Sequence, residues 1–121
     1  MHPATLSIKV FGAYVVLTGV GLLVAPNLTL APLGVAAPTE VWIRVLGALA
    51  IVLGYYYWSC ATAGAVAFFR ATVRGRPLFA VLCVALIVAF QAPIQLLLFA
   101  AVDLAGAAWT WQGLRKTGHL P

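Results

Sequence analysis

Long apolar stretches with almost no charge between them limit most strongly how this chain folds. The 121 residues include only seven basic and two acidic residues, and 64% of them are hydrophobic. A water-soluble domain carries charge on roughly a quarter of its residues, because its surface must be hydrated. A surface with so little charge must face lipid instead. The sequence therefore predicts an integral membrane protein.

Proline, glycine, asparagine and glutamine divide the apolar stretches into four predicted membrane-spanning helices. We expect them at about residues 6–25, 40–60, 65–90 and 93–114, because roughly 20 apolar residues cross the hydrocarbon core. The third helix has an alternative start at Leu78, but residues 78–90 are too few to cross alone. The prediction is one all-α membrane domain, a four-helix bundle with a proline-rich loop at residues 26–39.

The basic residues orient the four predicted helices. If the N-terminus lies in the cytoplasm, only Arg44 and the loop 26–39 fall on the outer side. The other six basic residues then face the cytoplasm, as the positive-inside rule requires. Both chain ends are therefore predicted to lie on the cytoplasmic side of the membrane. Because these charges lie at the ends of apolar runs and form no basic stripe, nucleic acid is not an expected partner.

Asp103 is the most informative single residue, because it falls near the middle of the fourth predicted span. A carboxylate is costly there and normally faces a partner group or a wet cavity. One interpretation is a polar ligand pocket formed by Asp103 with Arg44 or Arg74 and the tyrosines Tyr55 and Tyr56. The alternatives are a structural ion pair or a protonated carboxyl group between helices, and an aromatic belt at the interface for the tyrosines.

Three arginines, Arg70, Arg74 and Arg76, precede the apolar part of the third span. They fit a site for a phospholipid headgroup between helices. Their role in fixing the topology explains them equally well. Two glycine pairs, at positions 12 and 19 and at positions 47 and 54, repeat at seven residues, and this spacing predicts close helix packing.

Metal, haem and redox chemistry are not expected. The two histidines, His2 and His119, lie near the two ends of the chain, whereas a membrane-embedded haem needs ligands inside the spans. Cys60 and Cys83 lie in apolar stretches, far apart in sequence, and are interpreted as small buried residues. No catalytic or phosphate-binding motif occurs, so no cofactor is predicted.

The order of these features resembles small bacterial four-helix membrane proteins of the DoxX-like or BphX-like kind. The resemblance is carried by the segments WIRVLG at 42–47, LGYYY at 53–57, FFRATVRGR at 68–76 and VDLAGAAWT at 102–110. It covers most of the chain. It implies the four-helix membrane fold and no particular activity.

Two functions follow as hypotheses from the sequence. The first is a non-catalytic accessory or scaffold subunit of a larger membrane assembly, because no catalytic constellation occurs and the chain is small. The second is a binder or transporter of a small amphiphile, such as a lipid or a quinone, with its pocket around Asp103. The expected partners are membrane lipids together with a larger membrane complex or further copies of the chain.

Overall fold

Helices account for most of the described residues in the computed structural model, which describes residues 2–36, 39 and 41–118. They are α1 (Thr5–Val24), α2 (Pro26–Leu30), α3 (Trp42–Thr62), α4 (Val66–Phe90) and α5 (Leu96–Lys116), with a 3₁₀ turn at Ala31–Leu33. The described ranges contain no β-strand. The predicted all-α class is therefore confirmed.

Three of these helices, α1, α3 and α4, are long and apolar enough to cross a membrane. Helix α5 has 21 residues, as many as α3. It is not among the three, because Asp103, Thr110 and Gln112 interrupt its apolar composition. Many large apolar side chains on the long helices are exposed, among them Leu17 and Val88. Such a surface suits lipid, and the helices are those of a membrane protein.

The four long helices begin and end within three residues of their predicted bounds. Helix α4 begins at Val66 and not at Leu78, so the arginine-rich segment is helical. The segment predicted as a loop, residues 26–39, begins with the short helix α2, although Glu40 and residues 37–38 lie outside the described residues. Pro26 occupies the first turn of α2, where its missing N–H costs nothing, so the proline starts a helix there.

The chain divides into two compact units. One of them, residues 9–59, contains most of α1 and α3. Glycines bring these two helices into backbone contact. A Cβ atom on Gly19 would lie 2.6 Å from the carbonyl oxygen of Gly47, and one on Gly12 would lie 3.1 Å from that of Gly54. The predicted role of the glycine pairs in helix packing is confirmed.

The antiparallel order of α1 and α3 follows from the same pairs, because glycines late in α1 meet glycines early in α3. The hydrogen bonds of Arg44, near the start of α3, agree with this antiparallel order. Its guanidinium group donates hydrogen bonds to the carbonyl oxygens of Leu23 and Val24 at the end of α1. The last carbonyl groups of a helix have no partner within that helix and carry its negative dipole end, so Arg44 stabilises this end.

The other unit, residues 1–8 with 60–121, is built on the α4–α5 hairpin. Gln91 ends α4 in the left-handed conformation, with φ of 57°, and its N–H donates to the carbonyl oxygen of Leu86. Near this connection the two helices bury Ala80 and Cys83 against Ala100. Small side chains at this end allow the two helices to approach closely.

The first turns of α1 pack on the opposite end of the same hairpin. A Cβ atom on Gly113 would lie 2.7 Å from the backbone of Ala4, so the start of α1 contacts the end of α5. Ile8, Phe69 and Leu114 are completely buried in this unit. Three chain segments therefore meet there: the start of α1, the start of α4 and the end of α5.

Candidate functional site

Four polar side chains are buried together where these three segments meet. Ser7 comes from α1, Thr72 and Arg76 from α4, and Thr110 from α5; we call them the Arg76 cluster. The exposed fraction is 0% for Thr110, 1% for Ser7, 3% for Arg76 and 6% for Thr72. Buried polar groups are costly without hydrogen bonds, so the partners of these groups decide what the cluster can do.

The guanidinium group of Arg76 is held by the two threonines. Its Nη2 donates to Thr110 Oγ1 at 2.7 Å and to Thr72 Oγ1 at 3.0 Å. Its Nε donates to the carbonyl oxygen of Thr72 at 3.3 Å. Thr72 Oγ1 in turn donates to the carbonyl oxygen of Phe69 at 2.8 Å. A rigid charged fork is thereby fixed between α4 and α5.

The two hydroxyl groups of Ser7 and Thr110 continue this network into α1. Their oxygens lie 2.8 Å apart, Ser7 Oγ lies 2.8 Å from the carbonyl oxygen of Ala4, and Thr110 Oγ1 lies 3.1 Å from that of Gly106. Each hydroxyl has one hydrogen, so two of these three contacts are hydrogen bonds at any moment. When Thr110 donates to Ser7 and Ser7 donates to the carbonyl oxygen of Ala4, the bonds form a chain that begins at Arg76, and each bond strengthens the next.

Asp103 is buried two turns before Thr110 on the same face of α5, with 8% of its surface exposed. The cation that acts electrostatically on its carboxyl group is Arg76. Asp103 and Arg76 are thus both buried within the unit that contains the α4–α5 hairpin.

The other arginines that the sequence suggested for a site, Arg44, Arg70 and Arg74, are exposed. Arg70 and Arg74 are exposed on α4. Arg74 and Arg76 differ by two positions, about 200° around a helix, so burial of one directs the other outward. Arg44 is exposed and bonded to the end of α1, in the unit of residues 9–59, whereas Asp103 belongs to the other unit.

The tyrosines Tyr55 and Tyr56 are 61% and 54% exposed on α3, with their ring centroids 6.2 Å apart. Tyr57 is the buried member of the run, and its ring lies 5.3 Å from that of Phe11 on α1. Trp58 lies beside Lys9, whose Nζ is 5.1 Å from the ring centroid. Exposed aromatic rings next to a lysine are typical of the membrane interface.

Sequence reasoning identified Asp103 and Arg76 but did not connect them, and it did not include Ser7 or Thr72 in a site. The sequence spacing could have revealed part of this grouping. Thr72 precedes Arg76 by four residues and Asp103 precedes Thr110 by seven, so each pair lies on one face of its helix. Two polar pairs at helical spacing on consecutive helices indicate a shared polar face. Nothing near Ser7 in the sequence indicates its contact with Thr110.

The chemistry available to the Arg76 cluster is hydrogen bonding and charge compensation. The described residues contain no group of three or more histidine, cysteine or carboxylate side chains that could hold a metal ion. Within the cluster, Ser7 has a hydroxyl group and a carbonyl group as its partners, and neither is a general base.

Comparisons of the chain with protein-family models, with curated proteins and with solved structures gave no match.

Proposed function

We propose that this protein is a non-catalytic accessory or scaffold subunit of a larger assembly in the bacterial cytoplasmic membrane. In this proposal it crosses the membrane four times as a helix bundle, with both chain ends in the cytoplasm. The observation that carries the proposal is that the buried polar groups of the Arg76 cluster form hydrogen bonds with one another. The exposed helix surfaces then remain as the part of the molecule that meets other molecules.

Contacts near the two ends of the chain support an even number of crossings. His2 Nε2 lies 2.9 Å from Thr117 Oγ1, and Ala4 packs on Gly113. The start of α1 and the end of α5 are therefore at the same side of this unit. If α1, α3 and α4 each cross the membrane, α5 must cross as well to return to that side. The positive charges of Arg115 and Lys116 at the end of α5 favour the cytoplasm for it.

The less apolar composition of α5 supports a protein partner. Ala101, Ala105 and Ala108 are exposed on α5, at spacings of four and three residues. Small residues at such spacing let a second helix approach closely in a membrane. A partner helix on this face would shield α5 from lipid. Lipid is a less suitable environment for α5 than for α1, α3 and α4, because α5 is less apolar.

Native mass spectrometry of the gently purified protein tests the proposal. We expect a second protein at fixed stoichiometry, without a retained small molecule. A homo-oligomer that retains a small amphiphile would overturn the subunit proposal and favour the second candidate below.

Matched leucine variants refine this experiment. Ala105→Leu places a bulky group on the exposed face of α5, and we expect it to reduce recovery of the partner at least severalfold. Ala85→Leu changes an exposed alanine of α4 by the same volume and serves as the control. Equal recovery from both variants would contradict docking on α5.

The second candidate is a binder or transporter of a small amphiphile. The specific observation that favours it is the burial of Asp103 on α5 and Arg76 on α4, because an amphiphile headgroup could bind next to a buried charged group. Binding would then require Asp103, and Asp103→Asn would abolish retention of the amphiphile while the fold persists. Unchanged retention in that variant would remove Asp103 from the pocket.

A further inference from the structure

His2 connects three segments of the unit formed by residues 1–8 and 60–121. Its Nδ1 accepts a hydrogen bond from the Ala4 N–H at 3.0 Å, and its Nε2 is 2.9 Å from Thr117 Oγ1. The ring also contacts Phe69 of α4, with centroids 5.5 Å apart and planes at 64°. We call His2, Ala4, Phe69 and Thr117 the His2 clasp.

The hydrogen bonds of the clasp define the protonation state of His2. A backbone N–H can only donate, so Nδ1 must be the unprotonated ring nitrogen. Nε2 then carries the hydrogen and donates to Thr117 Oγ1. The Thr117 hydroxyl completes the chain by donating to the carbonyl oxygen of Leu114 at 3.2 Å. Of these bonds, the one from the Ala4 N–H requires the neutral imidazole, because only an unprotonated Nδ1 can accept it.

Protonation would place a second hydrogen on Nδ1, directed at the Ala4 N–H, so this bond would be lost. The described charged residues next to the clasp on the packed elements are cations. Arg70 follows Phe69 on α4, and Arg115 and Lys116 precede Thr117 on α5. Asp103, the described carboxylate, lies fourteen positions before Thr117, about 21 Å along α5 at 1.5 Å per residue.

We propose that the His2 clasp is a pH-sensitive switch that is closed when His2 is neutral and opens when His2 is protonated. Imidazole takes up a proton near pH 6.5 in unstructured peptides, so the change falls at mildly acidic pH. Opening is the loss of the Ala4 bond and loosens the first turn of α1, whereas the Nε2–H of His2 can still donate to Thr117 Oγ1. Ser7 and Ile8 stay buried, so the rest of the unit keeps its packing.

Hydrogen exchange of the full chain in lipid nanodiscs tests this proposal. Protection of the amides of Ala4 and Thr5 is compared at pH 7.5 and pH 5.5, with labelling times scaled for the pH dependence of intrinsic exchange. We expect protection to fall about tenfold at pH 5.5, the effect of losing one or two hydrogen bonds. Protection that differs by less than about twofold, too little for the loss of one such bond, would overturn the proposal.

Two variants assign the effect to His2. In His2→Asn the side-chain carbonyl oxygen can accept the Ala4 N–H at either pH, so we expect protection to become independent of pH. His119→Gln changes the second histidine of the sequence, and the pH effect should persist. A pH effect that survives in His2→Asn, or disappears in His119→Gln, would refute the switch.

The ring nitrogens of His2 provide a direct check by ¹⁵N NMR. At pH 7.5 we expect the hydrogen on Nε2 and none on Nδ1. A ring with its hydrogen on Nδ1 would contradict the clasp geometry.

Discussion

Arg74 and Arg76 are two positions apart and have opposite environments, which shows how strongly helical geometry separates neighbouring charges. Arg74 is exposed, whereas Arg76 is 3% exposed and bound to Thr72 and Thr110. The sequence assigns both arginines to a lipid-headgroup site or to topology, and it names Arg74, not Arg76, as a possible partner of Asp103. Only the packing of α4 on α5 selects which arginine is buried.

Replacing Arg76 should therefore cost far more than replacing Arg74. Arg76→Met removes the guanidinium group from two threonines and from Asp103, and we expect the free energy of unfolding to fall by about 3 kcal/mol. Arg74→Met, the matched control, should change it by less than about 0.5 kcal/mol. Reversible denaturation in mixed micelles measures both variants. Equal losses would show that the buried contacts of Arg76 contribute no net stability.

The contact between Ser7 and Thr110 can be isolated by a double-mutant cycle. Ser7→Ala and Thr110→Ala are each expected to destabilise the protein, and their effects should not add, because they remove the same hydrogen bond. Polar contacts between helices in membranes average about 0.6 kcal/mol, and we expect a coupling energy of this size. The same denaturation experiment measures it. Purely additive effects would mean that the two hydroxyl groups do not interact in the folded protein.

At the scale of helices, glycines determine how closely α1 and α3 approach. A Cβ atom on Gly47 would lie 2.6 Å from the carbonyl oxygen of Gly19 and 2.7 Å from the Leu23 nitrogen. Backbone atoms cannot move aside as a flexible side chain can. The spacing of the glycines was visible in the sequence, so this contact was predictable.

Gly47→Ala should accordingly separate the two helices. We expect a loss of about 2 kcal/mol, typical of overpacking. A Cβ atom on Gly75 of α4 would meet no other atom within 4 Å, so Gly75→Ala is the control and should be neutral or stabilising by up to about 1 kcal/mol. Thermal unfolding compares the two. A neutral Gly47→Ala would show that α1 and α3 can repack at no cost.

At the scale of the whole molecule, the number of membrane crossings is decided by α5. Composition alone selects α1, α3 and α4, and the contacts of His2 and Ala4 with the end of α5 favour a fourth crossing. Three crossings would place the two chain ends on opposite sides of the membrane. The proposed fourth crossing instead returns the chain to the side on which α1 begins.

Reporter fusions distinguish the two topologies. A reporter after residue 118 should give cytoplasmic activity, and one inserted between residues 34 and 36 should give periplasmic activity. Thiol labelling of single cysteines at the same positions in intact cells is an independent measurement. Periplasmic activity of the fusion after residue 118 would refute the fourth crossing and the proposed orientation.

The membrane class, the all-α fold and the bounds of the long helices follow from the sequence, because apolar runs of about 20 residues and their proline and glycine interruptions are local features. The resemblance to DoxX-like proteins remains a prediction. The Arg76 cluster was decided only by tertiary structure, since Ser7, Thr72 and Thr110 become neighbours of one guanidinium group only after three helices pack. The long apolar stretches thus determine where the chain resides, whereas the few polar residues acquire their partners through packing.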